Sequence, residues 1–476
     1  MRHVCPSLAV SVALTALISF PTAVFSQPEP EAEEDLSLKE KAWAWEVESA
    51  NEPGSYQSAE FTDYFQEFST AVGLAQADPK PDDDIPAYLQ PTPRGRLRIP
   101  LDPESTFTYG FGSLLQEPHG LRGAMRDRTS TAEIDRVGNV FIPFHVGARL
   151  GTNQAVLAEV VVGLSSLDLD LNYFYTPESI PGVFSVNLIS QRDENPAFST
   201  GFFGPQVNLP SGNTPSVHRL GGGIQYAYSF TDALDLAVAV NYQRVSVRNG
   251  LFSSQVTPTD SVGNPLTISP TGQDDLLTLT AALLFDQVEG IAFSVQGTRL
   301  RLGLEQAIPI GLANIGYTRA VANGTQFIPL NLVRNGDFTD TLVLNLQGGV
   351  TFGKVPPYTP FNLGGVNTVR GFQIGAVGAG RHFLMATAEY RVPITTLTLL
   401  DFALPIAGVL FVDYGTDFGT GNEVFGTPGP VRGKSGDGLG YGLGVQSHTP
   451  VGLLRLEFGL NSRGGSAVYF SVGDRF

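Results

Sequence analysis

The residues that could do chemistry are few. The six histidines (3, 119, 145, 218, 382 and 448) are scattered and make no metal-ligand spacing. No Gly-x-Ser-x-Gly nucleophile elbow occurs. The stretch GAVGAG (375–380) looks like a dinucleotide fingerprint, but no strand–helix–strand unit surrounds it. No catalytic residue, cofactor or metal is assigned, and the chain is not read as an enzyme. What remains is a question of charge. The segment GGVNTVRGFQIGAVGAG (364–380) is rich in glycine and carries one charged residue, Arg370. Further along, Glu389 and Arg391 sit in ATAEYRVPI and Asp413 in GVLFVDYG. A guanidinium presents a planar fork that matches a carboxylate with two hydrogen bonds. Two readings stand at this point. Arg370 is a solvated loop arginine, or it pairs with an inward-pointing carboxylate.

The choice depends on the elements that hold these residues. From about residue 105 the chain alternates apolar and polar residues with period two. SLDLDLNYFY puts Leu167, Leu169, Leu171, Tyr173 and Tyr175 on one face and Asp168, Asp170 and Asn172 on the other. LDLAVAVNYQR, LVLNLQGGVTF and LLRLEFGLN repeat the pattern, the last with Arg455, Glu457 and Asn461 on its polar face. Such segments are half-buried strands. A soluble sandwich would also alternate. Strands near ten residues long, aromatic residues at strand ends and a face of Asp, Asn, Gln, Arg and Gly suit a barrel with a polar lumen instead. In lipid an unpaired backbone group is costly, so a spanning sheet must close on itself. We count about 16 strands over 105–476 and expect an all-β, transmembrane antiparallel β-barrel. Long Pro/Ser/Asn/Gly-rich loops in 182–215 and 247–275 are expected to be extracellular, and FTDAL (230–234) a periplasmic turn. Phasing the strands by their apolar residues points Phe411, Asp413 and Gly415 inward, with Leu410, Val412 and Tyr414 toward lipid. Glu389 and Arg391 likewise point inward, with Ala388, Tyr390 and Val392 toward lipid.

The rest of the chain fits an exported protein. Residues 1–26 read as a signal peptide: Arg2 and His3, then an apolar run, then AVFSQ for cleavage. The one cysteine, Cys5, lies inside it, so disulfides are not expected. Residues 27–104 form an acidic, Pro-rich periplasmic segment in which Phe61, Tyr64, Phe65, Phe68 and Val72 suggest one short amphipathic helix. Beyond residue 26 there is no uninterrupted apolar run of about 18 residues, so no helix is expected to span a bilayer. A net charge of −17 argues against a nucleic-acid partner. The last segment, AVYFSVGDRF, reads as an amphipathic strand with Val468, Phe470, Val472 and Phe476 on one face and Gly473 within it. Phe470, Val472, Gly473 and Phe476 are expected to form a signal for barrel insertion.

YTPFNLGGVNTVRGF (358–372), ATAEYRVPI (386–394), GVLFVDYGTDFG (408–419) and the final strand together resemble the outer-membrane assembly and translocation family. That family includes BamA and TamA assembly barrels, FhaC-type two-partner secretion transporters and plastid outer-envelope barrels. The resemblance is carried by motifs in the C-terminal third and by strand pattern over 105–340. It implies that Val369, Arg370, Gly371 and Phe372 lie on the sixth extracellular loop and that this loop folds into the lumen. It further implies that Arg370 meets Asp413, with Phe411 and Gly415, on the thirteenth strand, with Glu389 and Arg391 on the strand before. The implied function is insertion or translocation of unfolded or secreted polypeptides at the outer membrane of a Gram-negative-type bacterium. BamA-like proteins carry periplasmic POTRA modules before the barrel. Residues 27–104 leave room for at most one and lack its strands, so the chain is read either as relying on a periplasmic partner in their place or as a reduced relative with a different task. A passive solute-conducting pore is the alternative.

Overall fold

The computed structural model describes residues 107–111, 133–135, 139–163, 166–198, 208–399, 402–449 and 452–476. The expected signal peptide (1–26) and the expected acidic segment with its short helix (27–104) lie outside these residues.

Alternating sequences fold as one antiparallel sheet. β1 (Phe107–Phe111) and β2 (Glu133–Asp135) both pair with β3 (Asn139–Arg149), at its two ends, and so share one strand position. The sheet then runs through β4 (Gln154–Gly163), β5 (Ser166–Tyr175), β6 (Val183–Glu194), β7 (Ser216–Thr231), β8 (Leu234–Arg248) and β9 (Gln273–Asp286). Next, β10 (Glu289–Ile291) makes a small hairpin with the start of β11 (Ser294–Ile308), which pairs with β9. The sheet continues through β12 (Tyr317–Asn335) and β13 (Phe338–Gly353). A separate ribbon, β14 (Phe361–Leu363) with β15 (Gly378–Gly380), lies in the long connection that follows. The large sheet resumes with β16 (His382–Leu399), β17 (Phe402–Thr416), β18 (Asp437–Thr449), β19 (Gly452–Asn461) and β20 (Ser466–Val472). With β1 and β2 as one position and β10 set aside, the 18-stranded sheet has sixteen positions, and β17 is the thirteenth. β20 also bonds to β2, through Ser471 opposite Glu133 and Phe470 opposite Ile134. The strand order therefore returns to its beginning, as a membrane-spanning sheet requires.

Connections differ sharply between the two ends. Turns such as 232–233 and 336–337 are two residues long. At the other end the segments 249–272, 354–381 and 417–436 are long and ordered. Many strands exceed the expected ten residues; β12 has 19.

The two faces divide as the period-two pattern dictates. Leu410, Val412 and Tyr414 are exposed, while Phe411 and Asp413 between them are buried. Leu344 and Leu346 face out and Asn345 faces in, where its amide donates to Asn323 and Thr325 side-chain oxygens at 2.7 and 2.8 Å. Exposed aromatics such as Tyr175, Phe352 and Tyr414 lie near strand ends.

One expectation about the last strand is corrected. Val468 and Phe470 face outward, and Val472 follows on their face. Phe476 does not share it. β20 stops at Val472, and Gly473, expected inside the strand, lies beyond it with φ +117°. That left-handed conformation suits glycine and turns the chain inward. Phe476 is then buried against Val295, Phe327 and Val343 on the facing wall.

The outward face should tolerate charge poorly. Leu346, at mid-strand and 57 % exposed, is expected to cost about 2–4 kcal/mol as Leu346→Arg. The neighbouring inward change Gln347→Arg is expected to cost less. Urea titration of the folded form, resolved by its heat-modifiable gel migration, checks both.

Candidate functional site

The long connection 354–381 does not stay at the barrel mouth. Its stem is the ribbon of β14 and β15, with Phe361 opposite Gly380 and Leu363 opposite Gly378. The base is fixed by Tyr358, which is buried among Phe198, Val217, Val245 and Leu266 and donates its hydroxyl to Asp274 at 2.9 Å. The tip is tied by Thr368 N–H to Gly365 O (3.1 Å) and Gly365 N–H to Val369 O (3.2 Å). Leu363, Val369, Phe372 and Val377 gather into an apolar cluster inside the barrel, with Phe383 of β16 packed on it. The loop thus brings its own small core into a polar lumen and presents Arg370 from it.

Arg370 is fully buried. Its Nε and Nη2 donate to the two oxygens of Asp413 at 2.8 and 3.0 Å, a bidentate fork. Its backbone N–H also donates to Asp413, at 3.1 Å. Nη1 donates to Glu389 at 2.7 Å and to Glu457 of β19 at 2.6 Å. The guanidinium lies 3.6 Å from the centroid of the Phe411 ring, which closes its remaining face. Three carboxylates around one cation would repel one another. Further arginines offset that: Arg391 donates to Glu389 at 2.9 Å, Arg455 to Glu457 at 2.7 Å, and Arg475 lies 3.2 Å from Asp413. Asp474 stands 3.6 Å from Arg391 and brings the set to four cations and four anions. Thr387 donates its hydroxyl to Asp413 at 2.8 Å. A buried charge is tolerable when paired and hydrogen-bonded, and here each one is.

Close approach of the loop requires glycine on the wall. A Cβ at Gly440 of β18 would stand 1.7 Å from the carbonyl oxygen of Arg370, and one at Gly459 of β19 2.6 Å from the Gly371 nitrogen. Gly371 itself has φ +91°. Its N–H donates to the Tyr469 hydroxyl (2.9 Å), which donates to Phe372 O (2.6 Å), and Asn461 donates to Gly371 O. At the barrel mouth Asp417 sits against Gly378 and Gly380 of the stem. Burial pushes its carboxyl up from the ordinary range, against the N–H groups of Gly419 and Ala379, which pull it down.

Val369, Arg370, Gly371, Phe372, Phe411, Asp413, Gly415, Glu389 and Arg391 therefore lie in one cluster within the lumen. Phe470 and Val472 belong to the outward face of β20, and Gly473 and Phe476 to the turned-in segment that follows it. Sequence reasoning did not assign Glu457, Arg455, Tyr469, Thr387 or Arg475 to the cluster. Glu457 and Arg455 were phased inward, so their face was legible and their partner was not. Among the described residues no group of three or more His, Cys, Asp or Glu could hold a metal ion.

Sheet, lumen and inserted loop define a transmembrane β-barrel of the outer-membrane kind, its lumen occupied by a charge-paired loop. The Omp85 superfamily domain matches residues 149–476, most of the chain, and the chain belongs to the Omp85 superfamily. It is 30 % identical over 268 residues to outer envelope protein 80 of Arabidopsis thaliana chloroplasts, covering 56 % of this chain and 34 % of that one. It is 33 % identical over 238 residues to the chloroplastic protein TOC75-4 of the same plant, covering 49 % and 57 %. The chain spans about a third of the length of the first and just over half of the second. Among solved structures, BamA from Haemophilus ducreyi lacking POTRA domains 1–3 superposes with a TM-score of 0.56 at 13 % identity, covering 78 % of this chain and 70 % of that one. That likeness is one of fold. The protein is thus an Omp85-superfamily protein, similar in sequence to TOC75-4 and in fold to BamA.

Removing one partner from the buried cluster should be far worse than trimming its geometry. Asp413→Ala leaves Arg370 and Arg475 without their shared carboxylate and is expected to cost about 3–5 kcal/mol. Arg370→Lys keeps the charge but loses the fork and should cost less. Gly440→Val should prevent loop insertion through its clash with Arg370 O. Urea midpoints of the heat-modifiable form check the first two, and protease cleavage within 364–380 the third.

Proposed function

We propose that the barrel assists insertion or translocation of polypeptides at the outer membrane, with the Arg370 loop as a latch that keeps the lumen closed until a substrate engages. One observation carries this reading: an apolar loop is held inside a polar barrel by a buried, charge-balanced set centred on Arg370 and Asp413. A steady solute pore has no use for such a plug. Membership of the Omp85 superfamily supports a polypeptide as the cargo. The substrate would be an unfolded or secreted chain, met in the plane of outer-membrane lipid. Residues 1–26 support export by a signal peptide and residence in the outer membrane of a Gram-negative-type bacterium. The composition of 27–104 supports a periplasmic partner that takes the place of POTRA modules. The second reading, a passive pore, draws on the polar inward residues such as Asn172, Gln225 and Asn241.

Planar-bilayer recording separates the two. The native barrel is expected to be mostly closed, and the barrel deleted for 364–380 mostly open. Equal steady conductance from both would establish the pore. Depletion in the native host, followed by scoring the outer-membrane and secreted proteome, tests the cargo: loss of other barrels or of one secreted protein is expected.

A further inference from the structure

β16 and β17 outrun their neighbours at the end of the barrel that carries the two-residue turns. β13 bonds to β16 as far as Thr341 opposite Arg391, and β18 bonds to β17 from Ser447 opposite Ile406. Beyond those pairs β16 and β17 continue with each other, through Leu397 opposite Leu404 to Leu399 opposite Phe402, after a bulge at Pro393. The result is a two-stranded ribbon that projects past the sheet, on the periplasmic side in the reading above. The Tyr390 hydroxyl donates to Asp340 at 2.7 Å just before the ribbon begins.

The two edges of this ribbon differ. The β17 edge carries Pro405, which has no N–H to offer. The β16 edge, Ile394–Leu399, carries no proline and no charge, and all its residues are exposed. Thr396 and Thr398 alternate there with Leu397 and Leu399. Its first carbonyl already accepts a hydrogen bond on the open side: Asn335, the last residue of β12, donates its amide to Ile394 O at 2.6 Å. From Thr395 to Leu399 no such partner follows among the described residues. Leu332 and Val333, bulged out of β12, are exposed beside this edge. Asp340, which accepts their N–H groups at 2.8 and 3.1 Å, ties them to Tyr390 of β16.

A row of unpaired N–H and C=O groups is a template for another strand, and sheets that avoid this cover the edge or place lysine or proline on it. Among the described residues the β16 edge has none of these. Its direction decides what fits. The edge faces along the wall, into the position that β13 occupies further up, and not into the lumen. A strand added there would extend the sheet without meeting Arg370 or Asp413. That suits a partner held at the barrel and not a chain in transit through it.

We propose that Ile394–Leu399 is a docking edge for a periplasmic partner protein, which adds one extended strand to β16. Main-chain hydrogen bonds give the affinity, and Leu397 and Leu399 select apolar residues at alternate positions of the added strand. The inference rests on the translocation reading above and gives its periplasmic partner a place to bind.

A labelled short peptide of alternating valine and threonine is the probe, added to the full chain folded in detergent micelles and checked by heat-modifiable migration. It is expected to bind the parent. The same peptide N-methylated at every residue is expected not to bind, since methylation removes the donors and leaves the side chains. Leu397→Lys with Leu399→Lys should weaken binding at least roughly tenfold. Equal binding of the methylated peptide, or no binding of either, would overturn the docking edge. In cells, a photo-reactive residue in place of Leu397 is expected to give one adduct with a protein of fixed mass. A spread of adducts would mean cargo, an adduct of doubled mass a second copy, and adducts with lipid alone a membrane contact; each would overturn the partner. Peptide binding with steady conductance through the native barrel would overturn the latch and leave the docking edge. A closed native barrel without peptide binding would do the reverse.

Discussion

A guanidinium taken wholly out of water must be matched on every side, and the interior of this barrel is organised around that requirement. Arg370 has five N–H donors and finds three carboxylates and an aromatic face. Each carboxylate then needs a second cation, since three acids around one arginine would be left with excess negative charge. Arg391, Arg455 and Arg475 supply it from three different segments. The loop, β16, β17, β19 and the segment after β20 are thereby tied through one cluster. An isolated loop with four glycines at positive φ would gain nothing from entering a polar lumen. The ion set, together with the small apolar core it carries, offsets the entropy of ordering it.

Shape is the second constraint. The loop lies against β18 and β19 so closely that Gly440 and Gly459 have no room for a methyl group. Gly438, Gly440, Gly442 and Gly444 occupy alternate, inward positions of β18, and this side of the lumen is lined by backbone rather than side chains. A wall of ordinary residues there would fill the space the loop occupies. Glycine weakens a strand, but β18 is bonded along both edges, to β17 and β19, which limits the cost.

Much of this was legible in the sequence, for reasons that differ by element. A strand with lipid on one side and a lumen on the other must alternate, so Asp413, Glu389 and Arg391 could be placed inward from their neighbours alone. Arg370 could be singled out because no other charge interrupts its glycine-rich surroundings. Its pairing came from a resemblance in motif order, since period two fixes a face and not a contact across the lumen. GLGYGLG in β18 shows the same alternation with glycine in the inward register and went unread. Arg475 could not be found this way. Continued at period two, AVYFSV would put Asp474 as well as Phe476 on the lipid face, a charge that breaks the alternation and went unread, and the positive φ at Gly473 turns the chain from the lipid side to the lumen. The first strand position is likewise divided between β1 and β2, which a pattern search over single segments does not anticipate.

The pair at the centre can be measured directly by a double-mutant cycle on Arg370→Ala and Asp413→Ala, read as the urea midpoint of the folded barrel. If the pair holds the loop in the lumen, each single change should cost nearly as much as both together. The coupling should then approach the cost of either single change, about 3 kcal/mol or more. Costs that add to within about 0.5 kcal/mol would mean that Arg370 and Asp413 act independently and that no latch joins the loop to β17.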